Sequence, residues 1–104
     1  MLTSKQRSHL RSLSNKIPAI IMVGKDGVNE TLIEHAREAI VARELIKGKV
    51  QQNASISSSE AAEMLASSIK ADLVCIMGNT FVLFKRNPQH IRIQIPSKKK
   101  ATKS

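Results

Sequence analysis

A continuously apolar run, Ala19-Ile20-Ile21-Met22-Val23, passes directly into Gly24-Lys25-Asp26-Gly27. A strand with one wet face would carry a polar residue at every second position. A short unbroken run of mostly branched residues predicts instead a strand covered on both faces, the pattern of parallel sheets. The glycines stop it. Asn29 then offers an N-cap, Glu30 suits the positive end of a helix, and Leu32, Ala36 and Ile40 recur every fourth residue. A helix is therefore predicted over 29–43. Glu30, Glu34 and Glu38 form an acidic stripe on another of its faces, expected to look away from any polyanion. A strand, a tight glycine turn and a helix in that order require the next strand to return parallel, through a right-handed crossover.

The rest of the chain fits that frame. Thr3 and Gln6 have capping-box spacing ahead of a helix over 3–16. Leu10, Leu13 and Ile17 are its apolar stripe and Pro18 its stop. Leu45 to Gln51 alternates with period two, placing Ile46, Gly48 and Val50 on one face and Lys47 and Lys49 on an opposite, wetter one. Ser57 and Glu60 repeat the capping-box spacing before a third helix that runs to about Lys70, with Ala62, Leu65, Ala66 and Ile69 inward. Leu73–Met77 and Thr80–Lys85 flank Gly78-Asn79, a hairpin whose leading glycine suits a type II′ turn. Ile91-Arg92-Ile93-Gln94-Ile95 alternates and is expected as a short edge strand. The order α-β-α-β-α-β-β predicts one α/β domain over 1–96. Its mixed sheet of about four strands should hold parallel pairs from two crossovers, with helices packed against it. Residues 97–104, with Lys98, Lys99, Lys100 and Lys103, are expected to form a disordered basic tail.

Charge narrows the function. The 104 residues carry 17 Lys and Arg against 8 Asp and Glu, a net charge of +9. Every acid lies between Asp26 and Asp72, where only Arg37, Arg43, Lys47, Lys49 and Lys70 are basic; the other bases occupy the two ends. Such segregation in a small domain suits a polyanionic partner. The lone Cys75 suits a reducing, cytoplasmic compartment, and within Leu73–Met77 it reads as a buried, inert thiol. No apolar stretch reaches about 18 residues and the start is not a secretory signal, so no membrane partner is expected. His9, His35 and His90 are scattered, which gives no metal or cofactor site, and no nucleophile–base or paired-carboxylate arrangement supports an enzyme. There is no Trp or Tyr, and Phe81 and Phe84 point to opposite faces of one strand. Recognition should then rest on charge, loop amides and shape rather than on an aromatic sheet. No helix stands out with base-reading Arg and Asn side chains for DNA.

Gly24-Lys25-Asp26-Gly27 is the candidate site. Two glycines three apart let backbone approach a ligand, the following helix adds its positive end, and Lys25 at the tip can pair with a phosphate. GxxG loops that clamp a nucleic-acid backbone work in this way; a plain strand-to-helix turn is the alternative. Asp26 would repel a phosphate unless it points aside. The spacing is neither that of a nucleotide P-loop nor that of a dinucleotide fingerprint. The contacts expected first are Lys25 with the Gly24 and Gly27 amides. Lys5, Arg11, Lys16, Lys47, Lys49, Lys85 and Arg86 stand second.

The order of motifs also resembles a known family. Lys5-Gln6 with Leu10-Arg11, Val23-Gly24-Lys25-Asp26-Gly27-Val28, Ala42-Arg43-Glu44-Leu45-Ile46-Lys47 and Ile76-Met77-Gly78-Asn79-Thr80-Phe81-Val82-Leu83-Phe84-Lys85 look like the bacterial YhbY family. Its members are stand-alone CRM (chloroplast RNA splicing and ribosome maturation) domains, and the resemblance runs from about Leu2 to Pro96. It implies a fold similar to the C-terminal domain of translation initiation factor three. It also implies a monomer that binds ribosomal RNA on immature large ribosomal subunits, without catalysis. A ribosome-associated regulatory or scaffold protein with protein as its first contact is the alternative. The chain departs from the family pattern at Gly48, where a branched apolar residue is usual, at Met77 in place of Ile, and at Phe84 in place of Tyr. Gly48 is expected to weaken its strand.

Overall fold

A computed structural model describes residues 2–86. The strand expected over 91–95 and the basic tail lie outside the described residues. The elements are α1 (Ser4–Ser14), β1 (Ile21–Val23), α2 (Glu30–Arg43), β2 (Leu45–Val50), α3 (Ser58–Ile69), β3 (Asp72–Met77) and β4 (Thr80–Phe84), in the expected order.

Local chemistry sets the helix starts. Thr3 and Gln6 close a reciprocal capping box at α1, with bonds of 3.0 and 3.1 Å. Ser57 and Glu60 do the same at α3, and the Asn29 side chain accepts the Leu32 amide at 2.9 Å. Each satisfies amides that the first helical turn leaves unpaired. In the hairpin Gly78 has φ +60° and Asn79 does not join it at positive φ, as a type II′ turn requires.

The sheet order is β1-β2-β4-β3. Only β1 and β2 pair in parallel; β4 lies antiparallel between β2 and β3. The second crossover therefore gives no parallel pair. After α3 the chain enters the sheet two places beyond β2, and the hairpin folds β4 back into the gap.

The two faces differ. α2 and α3 cover one, where Ile21, Val23, Ile46, Phe81 and Leu83 meet Ala36, Ile40, Ala61, Ala62, Leu65 and Ile69. α1 covers part of the other, where Leu10 meets Leu45, Val74, Val82 and Phe84. Two expectations change as a result. β1 is an edge strand covered on one face only: Met22, between buried Ile21 and Val23, is 48% exposed. The Lys47–Lys49 face is not uniformly wet, because α1 lies over its near half: Lys47 is half-buried and Lys49 exposed.

The space beside Gly48 is filled from across the strand pair. A Cβ there would stand 2.2 Å from Cζ of Phe81, its antiparallel partner. The absent side chain makes the space that the buried Phe81 ring fills, so the departure at Gly48 is matched across the strand pair.

Candidate nucleic-acid interface

β1 delivers the chain to the candidate loop at the edge of the sheet. The Gly27 amide donates to the Gly24 carbonyl at 3.0 Å, closing a four-residue turn. Gly27 has φ +67° and is buried beside Ser55 and Ile56 of the β2–α3 loop. Its amide is thus used inside the turn and is not presented to a ligand, contrary to expectation. Gly27 serves instead as the left-handed pivot that Cβ-bearing residues rarely adopt. Lys25 and Asp26 form the exposed tip.

Below the tip a groove of about 330 Å³ runs between β1 and α2, lined by Met22, Gly24, Lys25, Asn29, Leu32 and His35 among others. The His35 Nε2 lies 3.3 Å from the Ile20 carbonyl. Glu30, Glu34 and Glu38 line a neighbouring depression that shares Thr31 and His35 with the groove, so the acidic stripe lies beside it. Glu34 pairs with Arg37 at 2.7 Å.

The remaining expected cations do not converge on the loop. Lys49 lies at the loop end of the sheet, next to Met22 in register. Lys5 and Arg11 are exposed along α1, and Lys16 is exposed beyond its C-terminus. Three others hold the fold. Lys47 Nζ donates to the Ser14 carbonyl at 3.3 Å, and Lys85 Nζ to the Ile69 carbonyl at 3.1 Å. Both reach the carbonyl end of a helix, where a cation is favoured. Arg86 lies 3.2 Å from both carboxylate oxygens of fully buried Glu44 and stacks on the Phe84 ring, 5.2 Å from its centroid.

Glu44 explains the sequence Arg43-Glu44-Leu45-Ile46-Lys47. It caps α2 at φ +64°, and its carbonyl accepts the Lys85 amide at 2.8 Å. The left-handed turn swings the chain straight from α2 into β2 and drops the carboxylate onto Arg86. Sequence reasoning missed this role, as it missed exposed Met22. Burial pushes the half-buried Cys75 thiol up, against the pull of Arg11, Arg7 and Lys47, so it is protonated near neutral pH. Among the described residues no helix is long and apolar enough to cross a membrane, and no group of three His, Cys, Asp or Glu could hold a metal.

The family model for the CRS1/YhbY (CRM) domain matches residues 2–85, which takes in the glycine turn, the Glu44 junction and the hairpin. The chain belongs to this family. Among CRM relatives, it is 42% identical over 96 residues to the Probable RNA-binding protein YqeI of Bacillus subtilis, covering 92% of this chain and all of that protein. It is 29% identical over 101 residues to an RNA-binding protein of Haemophilus influenzae, covering 93% of this chain and 97% of the other. The solution structure of the hypothetical protein SAV1595 from Staphylococcus aureus has the same CRM fold, with a TM-score of 0.78 at 36% identity over 92% of this chain and all of that one.

Proposed function

We propose that this CRM domain binds RNA without catalysing a reaction on it, and that its target is ribosomal RNA in a precursor of the large ribosomal subunit. The observation that carries the reading is the turn of Gly24–Gly27. It projects Lys25 into solvent at the mouth of α2, at the sheet end where Lys49 is also exposed. The names of the relatives support RNA as the ligand. Lys25 is the leading phosphate contact, followed by Lys49, Arg11, Lys5 and Lys16. Lys47, Lys85 and Arg86, held by the Ser14 and Ile69 carbonyls and the Glu44 carboxylate, stand last.

Two measurements test this. With dominant phosphate contacts, log K for a ribosomal RNA fragment falls linearly with log salt, by about 0.7–0.9 per contact. An affinity unchanged between low and high salt would overturn the electrostatic reading. In cells, tagged protein should sediment with immature large-subunit particles and crosslink to their RNA. Crosslinks to unrelated RNA alone would retain the RNA binder and remove the ribosomal assignment.

A further inference from the structure

Strand register places four residues in one line across the sheet. Met22 of β1 pairs with Lys49 of β2, Lys49 with Thr80 of β4, and Thr80 with Met77 of β3. Directly paired residues share a face. Here it is the face of Leu45, Val82 and Phe84, since Lys49 and Thr80 lie two residues along from Lys47 and Val82. The cover of α1 ends between the two rows. Lys47 is held under the end of α1 by the Ser14 carbonyl, whereas Lys49 is exposed and Met22 is 48% exposed. Thr80 and Met77 are half-buried. Among the described residues the result is a partly open row four strands wide, about 14 Å at the usual strand spacing.

The chemistry of the row is specific. Two thioethers flank an ammonium and a hydroxyl. Thioethers are polarizable and make favourable contacts with aromatic rings, so they can receive a flat base where Phe81 and Phe84 are both buried. Thr80 can donate to or accept from a base edge or a ribose 2′-OH. The surroundings are cationic: Lys25 shares the edge groove with Met22, and Arg11, Arg7 and Lys47 stand near Cys75, one row away. Asp26 lines that groove at the loop tip, and Glu30, Glu34 and Glu38 line the depression beside it, on the side away from the row.

The geometry points to this row as the seat for about two or three unpaired bases of a single-stranded RNA segment, with phosphates over Lys49 and Lys25. The inference rests on the RNA-binding reading and deepens it by naming the form of RNA taken. A duplex turns its base faces inward and can offer the row only phosphates, sugars and groove edges, so the sulfur–ring contacts are lost.

The test compares a fluorescein-labelled ten-nucleotide single strand with a duplex of the same sequence, at one salt concentration, with wild type and with the Met22→Ala/Met77→Ala double variant. The wild type should bind the single strand more tightly. The double variant should lose roughly three- to a hundredfold on the single strand, the scale of two sulfur–ring contacts, with duplex affinity and salt dependence unchanged. Equal wild-type affinity for both forms, or a double variant indistinguishable from wild type, overturns the row while leaving RNA binding intact. So does a double variant that keeps its RNA affinity but loses capture of a protein partner. Binding of neither RNA by the wild type overturns the RNA reading itself. Circular dichroism of the double variant should match wild type, because Met22 lies outside the core.

Discussion

The two faces of the sheet use the same four strands for different ends. Under α2 and α3 the face is closed over β1, β2 and β4, where even the missing side chain of Gly48 is occupied by Phe81, and it opens at Ile76 on edge strand β3, 37% exposed. Under α1 the closure stops half-way: Leu10 seals Leu45, Val74, Val82 and Phe84, and one row on the surface is open. Three helices cannot cover both faces of four strands over their full length. The uncovered part falls at the end where the glycine turn and the N-termini of α2 and α3 also lie. Stability is concentrated on one face, and the other keeps area for a ligand.

The largest expected effect breaks the closed face. Gly48→Val drives a branched side chain into the Phe81 ring. A loss at or above the top of the about 1–3 kcal/mol range for overpacking is expected in urea unfolding. Adding Phe81→Leu should recover a good part of it, a coupling that unfolding of the two single variants and the double would measure. Additive losses would show that Gly48 is needed for its backbone and not for space.

Next comes the half-covered face. Leu10→Ala should cost about 2–3 kcal/mol, low in the range for buried leucine because its cluster is small and its surroundings can collapse. Hydrogen exchange should accelerate first in α1 while α2 and α3 stay protected. Uniform acceleration throughout would mean that the faces unfold as one unit and that α1 is no separable cover.

What the sequence disclosed divides along the same line. Both capping boxes, the Asn29 cap and the Gly78 turn were legible because each depends on residues three or fewer apart. The core stripe of α2 was legible from its period. The lone parallel pair was not, because the sequence does not say that the hairpin returns into the gap beside β2. The exposure of Met22, the engagement of Lys47 with Ser14 and the fit of Gly48 to Phe81 all join residues distant in sequence. Periodicity cannot reveal how far α1 reaches across a face. At the site, Lys25 at the tip was legible. The inward use of the Gly27 amide was not, because a GxxG spacing does not fix which way its amides point.

A smaller effect concerns the loop. Lys25→Glu places a second acid beside Asp26 at the mouth of α2. The helix should tolerate it, since an acid near its first turn is favoured. RNA affinity should fall by about 1–3 kcal/mol, from a lost charge-assisted contact and new repulsion. Normal folding with undiminished affinity at matched salt would reduce the loop to a strand-to-helix turn.

The finest comparison lies within one strand. Lys47 and Lys49 are two residues apart on the same face of β2, on either side of the limit of α1. Lys47 satisfies the Ser14 carbonyl at the negative end of α1, and its stem packs beneath the helix. Lys49 faces solvent between Met22 and Thr80. Replacing each by methionine keeps the length of the stem and removes the ammonium, its charge and its N–H donors together. Lys47→Met should lower stability by about 0.5–1.5 kcal/mol, the net scale of a hydrogen bond that water partly replaces. It should change the salt dependence of RNA binding little, because that charge is already engaged. Lys49→Met should leave stability within about 0.5 kcal/mol, as surface changes do, and reduce the slope of log K against log salt by about 0.7–0.9, one phosphate contact. Urea unfolding and a salt titration of each variant separate the two roles. If both lysines alter the slope equally, the ligand reaches beneath the edge of α1 and the helix must shift to admit it. If neither does, the phosphates follow the edge groove past Lys25 and avoid the sheet face.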